Sequence, residues 1–181
     1  QRLATALVSA SLLGTFVPLA ANAAAPSNDA ACIALAEKVV GDARIEVADP
    51  VPAGSFQPQE GAALNGLPAF CHVRGMAKPT PRSSIHFEVW LPSTGWNGRI
   101  EMTGNGGYSP AMSFNQLAAL LKSGSVAVAT DTGHMGPGDD LSFGTTNDEA
   151  IADWGYRSVH ESIVPAKALV NAFYGKAQQK T

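Results

Sequence analysis

Three observations in the sequence predict an α/β fold, a central β-sheet flanked by helices. Residues 99–130 pass from a strand pattern at 99–103 through a glycine-rich break, Gly104-Asn105-Gly106-Gly107, into a helical pattern and then the apolar run Val126-Ala127-Val128-Ala129-Thr130. Strand, loop, helix and strand within about 32 residues form a βαβ-like unit, which sets two strands parallel in one sheet. Upstream, Ile85, Phe87, Val89 and Leu91 alternate with His86, Glu88 and Trp90, the period of a strand with one buried face. Near the end, Ile151, Trp154, Val159, Ile163, Val170 and Phe173 recur close to helical spacing.

The elements follow in chain order. Residues 3–26 carry no charge and hold an apolar block, from Leu3 to Leu19, behind Arg2. The block ends in Ala21-Asn22-Ala23, the small-x-small pattern of a signal-peptidase site, so residues 1–23 are expected to be a signal peptide and 24–181 the mature part. A membrane anchor is the competing reading, but serines, a threonine and a proline dilute the stretch and no basic stop-transfer cluster follows. Ser27 is placed to cap a helix reaching about residue 40, with Gly41 as its left-handed C-terminal cap. A short strand is expected over 44–47, and the proline- and glycine-rich stretch 48–68 reads as a long surface loop. Strands at 69–75 and 84–91, broken by Pro79-Thr80-Pro81, precede a turn at Gly95-Trp96-Asn97-Gly98 and a strand over 99–103. A helix over 113–122, ended by Gly124, leads into the strand at 126–130. Pro165 is expected to kink the last helix, because proline lacks the backbone donor.

Composition removes several functions. The 12 Lys and Arg stand against 15 Asp and Glu, so no basic patch for nucleic acid is expected. At 15% charged and 45% hydrophobic, the chain is built to collapse rather than to remain a disordered tail. Export puts Cys32 and Cys71 in an oxidising compartment, where a disulfide between them is the first choice and two separate buried thiols the alternative. Two cysteines without a CxxC pair make no four-ligand zinc site.

The glycine break is the sharpest local feature. It lacks the third glycine of a dinucleotide fingerprint, Ser109-Pro110 standing in that region, and it lacks the Gly-Lys-Ser/Thr of a P-loop. Two uses remain: a tight turn, or backbone N–H groups offered to an oxyanion. Asp131-Thr132-Gly133 after an apolar strand resembles the active-site tripeptide of aspartic proteases. Only one copy is present and His134 follows it, so a dyad would need a dimer. The plainer reading has Asp131 and His134 hydrogen-bonding backbone at the end of the strand. Asp139, Asp140 and Asp148 have no EF-hand spacing and read as a solvated loop. His86, His134 and His160 invite a triad, yet there is no G-x-S-x-G, and Ser109, Ser113, Ser123, Ser125 and Ser142 all lack an elbow setting. His160, beside Glu161, is expected to be a buried structural histidine.

Phe70-Cys71-His72-Val73, the strand at 85–91, Trp96-Asn97-Gly98-Arg99, Gly104-Asn105-Gly106-Gly107, Ala129-Thr130-Asp131-Thr132-Gly133-His134 and Trp154-Gly155-Tyr156-Arg157 together resemble the tannase and feruloyl esterase family in order and spacing. The resemblance implies secreted serine esterases with an α/β-hydrolase domain. It further implies a nucleophile elbow beyond Thr181 and a calcium-binding lid later still, so that 24–181 is the N-terminal portion of such a domain. Cys32 and Cys71 match the first disulfide of the family. Gly107 matches the glycine whose N–H helps hold the tetrahedral oxyanion, with Gly106 as a neighbouring candidate; Tyr108-Ser109-Pro110 departs from the smaller residues common there. The implied substrates are small aromatic-acid esters, feruloyl or galloyl, with no cofactor held by these residues. The implied reaction is acyl transfer through a serine acyl-enzyme, and the portion by itself is expected to be inactive. A secreted binding module of the same fold is the alternative.

Overall fold

Strand β8 (Val126–Thr130) has no exposed residue, and the architecture is organised around it. The computed structural model describes residues 28–181; the expected signal peptide lies outside them. A short helix α1 (Asn28–Ile33) leads into β1 (Val39–Val40), β2 (Ala43–Val51), β3 (Gly54–Phe56), β4 (Leu64–Leu67), β5 (Phe70–Ala77), β6 (Ile85–Pro92) and β7 (Ile100–Met102). Helix α2 (Phe114–Lys122) connects β7 to β8. After a 3-10 turn come α3 (Asp148–Ala152), a π turn (Asp153–Arg157) and the long helix α4 (Ser158–Tyr174).

Six strands make the main sheet in the order β1-β2-β5-β6-β8-β7. The pairs are antiparallel from β1 through β8, and β7 runs parallel to β8, as the βαβ-like pattern predicts. Alternate side chains point to opposite faces, so the sheet carries two cores. On one face Ile45, Val73, Phe87, Val89, Val126 and Val128 pack with Leu169, Val170 and Phe173 of α4. On the other, Phe70, Trp90, Ala127 and Ala129 pack with Leu117, Ala118 and Leu121 of α2. β6 therefore differs from its half-buried expectation: Glu88 and Trp90 are buried as well as their alternates, because a helical layer covers each side.

Three local expectations are corrected by packing. The first helix stops at Ile33, and Glu37 turns the chain at φ +60. Val39-Val40 then pairs back on Ala43-Arg44 through Gly41-Asp42, with Gly41 at φ +59 serving a two-residue hairpin rather than a helix cap. The stretch 48–68 is not all loop. β2 continues to Val51, its Pro50 tolerated where, among the described residues, no strand lies on the outer edge. The β3–β4 hairpin sets Phe56 edge-on against Phe70 (5.4 Å) and Trp90 (5.3 Å). Finally, Pro165 is buried within an unbroken α4, and the irregular turn lies before that helix, at the π turn. The π turn changes the face presented afterwards. Ser158, Ser162, Pro165, Ala166, Leu169, Val170 and Phe173 face the core, while Ile151 and Val159 are exposed. His160 is on the outer face too, exposed rather than buried as expected.

α1 is too short to persist alone, since isolated helices under about 12 residues are marginal in water. The Cys32–Cys71 disulfide, with Cα atoms 5.5 Å apart, ties it to β5. Leu35, 1% exposed, adds a buried side chain worth roughly 1.5–3 kcal/mol. Replacing both cysteines by alanine is expected to cost about 2–4 kcal/mol, measured as a lower urea midpoint; an unchanged midpoint would show the tether to be redundant.

Candidate functional site

Two crossovers leave β8 and β7 on opposite faces. β7 reaches β8 through α2 on one face. From β8 the chain returns through α4 on the other face, and Lys180 pairs parallel with Arg99. The Ile100 N–H donates to the Lys180 carbonyl at 3.0 Å, so the returning chain takes the edge of β7 away from β8. Right-handed crossovers that depart in opposite directions must use opposite faces. Such a reversal opens a crevice at the carboxyl ends of the strands, where ligands of α/β sheets bind. The residues at the carboxyl end of β7 are Thr103 and the glycine loop.

The loop is held in a defined shape. Ser109 N–H donates to the Gly106 carbonyl at 3.0 Å, closing a turn whose second residue, Gly107, has φ +57. A Cβ on Gly107 would sit 3.0 Å from the Gly138 carbonyl oxygen, so conformation and space both call for glycine. Gly106 has neither restriction. Tyr108 N–H donates to that same Gly138 carbonyl at 2.9 Å. The amide of Asn105 spans the Ser109, Ala111 and Thr130 carbonyls at 3.0, 3.2 and 3.1 Å, pinning the loop to the end of β8. Trp154, carried by the π turn, aims its indole N–H at the Gly107 carbonyl at 3.4 Å. Among the described residues the Gly107 N–H has no acceptor.

The end of β8 supplies the second cluster. Asp131 Oδ1 accepts the His86 and Gly133 backbone N–H groups at 2.9 and 2.8 Å, and its Oδ2 lies 2.8 Å from His86 Nδ1. That hydrogen bond, with the charge of Asp131, raises the His86 pKa above 6.5 against the opposing effect of burial. Both carboxylate oxygens are thus committed to a histidine and backbone, and neither meets a second carboxylate among the described residues. His134 is buried, its ring 3.8 Å from Phe143, and its Nε2–H donates to the Tyr108 carbonyl at 2.7 Å. The backbone-bonding reading of Asp131 and His134 therefore describes what they do. His86 and Asp131 border a groove of about 660 Å³ with Arg74, Met112, Phe114 and Met135. Asp140 accepts from the Ser142 N–H and hydroxyl, and Asp148 pairs with Arg82. Among the described residues no three His, Cys, Asp or Glu side chains gather as a metal site, and no helix is long and apolar enough to cross a membrane.

Residues 71–181 match the family model described as tannase and feruloyl esterase. The chain belongs to that family. It is 36% identical over 166 residues to an uncharacterized esterase of Xanthomonas campestris, covering 92% of this chain and 29% of the relative. It is 30% identical to a probable feruloyl esterase B-2 of Aspergillus flavus, covering 92% of this chain and 26% of that protein. The crystal structure of feruloyl esterase B from Aspergillus oryzae superposes with a TM-score of 0.75 at 29% identity, over 84% of this chain and 31% of that one. The chain therefore spans less than a third of these relatives' length, and its sheet is the corresponding part of the α/β-hydrolase domain of the family.

Within this tannase and feruloyl esterase domain, the motif-bearing residues converge on one edge. Gly106, Gly107, Asp131, His134 and Trp154 meet there, while His160 does not. The Asn105 amide clamp and the His86–Asp131 pair were not apparent from the sequence. The strand alternation at 85–91 put His86 on the same face as Glu88 and Trp90, but nothing local named its partner 45 residues away.

The ion pair has a testable pH signature. Because the folded His86 pKa is raised, its contribution to stability is fully present below pH 6.5 and is lost as pH rises through the higher folded value. Urea midpoints are expected to fall over that window in the wild type, and Asp131→Asn is expected to remove this fall; a parallel pH profile in the variant would refute the pairing.

Proposed function

We propose that the full-length protein is an exported carboxylic ester hydrolase that cleaves aromatic-acid esters, feruloyl or galloyl, through a serine acyl-enzyme, with the Gly107 N–H as one oxyanion donor. The observation that carries this reading is the Gly107 N–H itself, without an acceptor among the described residues and set at the carboxyl end of the strand where the crossovers reverse. Family membership supports the ester-hydrolase chemistry, and the names of the relatives support the substrate class. The pattern at residues 1–23 and the disulfide support export.

In this reading the attacking serine and its base come from the share of the family length that this chain does not span. The serine adds to the ester carbonyl, the histidine base takes its proton, and the carbonyl oxygen becomes an oxyanion. The Gly107 N–H donates to that oxygen in the tetrahedral state. The trans peptide points this N–H opposite to the Gly106 carbonyl, which faces inward to Ser109. The group therefore needs no reorganisation as charge develops, which is the source of its catalytic value. Collapse of the tetrahedral state expels the alcohol, and water then releases the aromatic acid by the same route.

The full-length protein is expected to hydrolyse methyl ferulate or methyl gallate, while residues 1–181 alone show no turnover. Gly107→Ala, strained by its positive φ and its approach to Gly138, is expected to lower kcat about 100-fold or more, with KM little changed. Gly106→Ala, with open space around its Cβ, serves as the comparison and is expected to lose far less. Absence of hydrolysis by the full-length protein, or equal rates for Gly107→Ala and the wild type, would overturn the assignment.

A further inference from the structure

His134 lies in the loop after β8 and hydrogen-bonds the glycine loop. Its Nε2–H donates to the Tyr108 carbonyl at 2.7 Å. The N–H of that same peptide group belongs to Ser109, and it donates to the Gly106 carbonyl at 3.0 Å. The N–H of the Gly106 peptide group is that of Gly107. The two peptide groups therefore stand head to tail between a buried imidazole and the N–H that has no acceptor among the described residues. In a trans amide the C=O and N–H are antiparallel and conjugated, so drawing electron density at one carbonyl makes its N–H a better donor to the next.

We propose that His134 is the positioning residue for the oxyanion donor, acting through the Tyr108–Ser109 and Gly106–Gly107 peptide groups in series. The inference rests on the reading of Gly107 given above and adds the group that aims and polarises it. His134 is well held for the task. Its side chain is nearly excluded from solvent, the Phe143 ring stacks on it at 3.8 Å, and the Thr132 hydroxyl lies 3.1 Å from Nδ1. The neighbouring peptide group is clamped separately, with its Gly107 carbonyl facing Trp154 and its Tyr108 N–H bound to Gly138. Rotation of the turn is thus opposed at each of three consecutive peptide groups, and among the described residues His134 is the side chain that feeds the one leading to the Gly107 N–H. The imidazole reaches no substrate atom in this scheme and transfers no proton.

The test uses the full-length enzyme, with rates expressed per active site titrated by an acylating ester. His134→Leu removes the donor and is expected to lower kcat about tenfold with KM unchanged, less than the direct loss at Gly107. Affinity for an arylboronic acid, which forms a tetrahedral adduct on a serine, should fall by the same factor, while affinity for the free aromatic acid should not change. His134→Gln, which keeps an N–H of similar reach, is expected to restore most of the lost kcat. Where His134→Leu does not fold, His134→Phe, which fills the same space against Phe143 without an N–H, carries the same comparison. A variant with fewer active sites but normal kcat at each would show a structural role only and overturn the proposal. So would normal boronate affinity in His134→Leu while Gly107→Ala has lost its hundredfold. If Gly107→Ala itself keeps full kcat, the oxyanion reading fails first and this inference falls with it, so the two failures are told apart.

Discussion

A strand with no exposed side chain requires an apolar layer on each of its faces, and β8 imposes that requirement on everything around it. Val126 and Val128 lie against α4, while Ala127 and Ala129 lie against α2. Each such residue contributes roughly 1–3 kcal/mol by leaving water, so neither helix is free to move to the other side. With the helices on opposite faces, right-handed crossovers force the chain to leave β8 and β7 in opposite directions. The crevice at the end of β7 is thus a consequence of how β8 is buried.

The same constraint explains why the glycine loop is braced so heavily. A loop at a crevice is solvated and mobile unless something ties it down, and under the proposed function a mobile Gly107 N–H would lose much of its value as an oxyanion donor. Here the braces come from elements far apart in sequence: Asn105 to the end of β8, His134 from the following loop, and Trp154 from the π turn. The π turn changes the helical phase between α3 and α4 while Trp154 reaches back over Gly107. Asp153, one residue earlier, is buried against Ser83 and Arg157. Departures from regular helix of this kind cost stability and are common at functional sites.

Asp131 shows how a motif acquires its role from its neighbours. The tripeptide Asp131-Thr132-Gly133 matches two chemistries as a string of letters. In the folded chain the carboxylate accepts from the His86 and Gly133 N–H groups and pairs with the His86 imidazole. It joins the start of β6 to the end of β8, strands that run antiparallel, so their opposite termini meet at this edge. Gly133 is required there for space as well as for its φ of +76, because a Cβ would lie 2.7 Å from the Asp153 Cβ.

Local chemistry in the chain settled the strand at 126–130, the helix following the glycine loop, the parallel pair and the even pair of cysteines. Side-chain period and turn residues record the environment of neighbours a few positions away. The same reasoning failed where a distant surface decided the outcome. Val39-Val40 became a strand because β2 offered an edge, and Phe56 drew part of an apparent loop onto Trp90. His160 faced outward because the π turn changed the helical phase. The site depends on contacts across 26, 45 and 47 residues, from His134 to Tyr108, His86 to Asp131 and Trp154 to Gly107. No period carries information over such separations. Strand order and the burial of β8 do, because they decide which loop ends share an edge of the sheet.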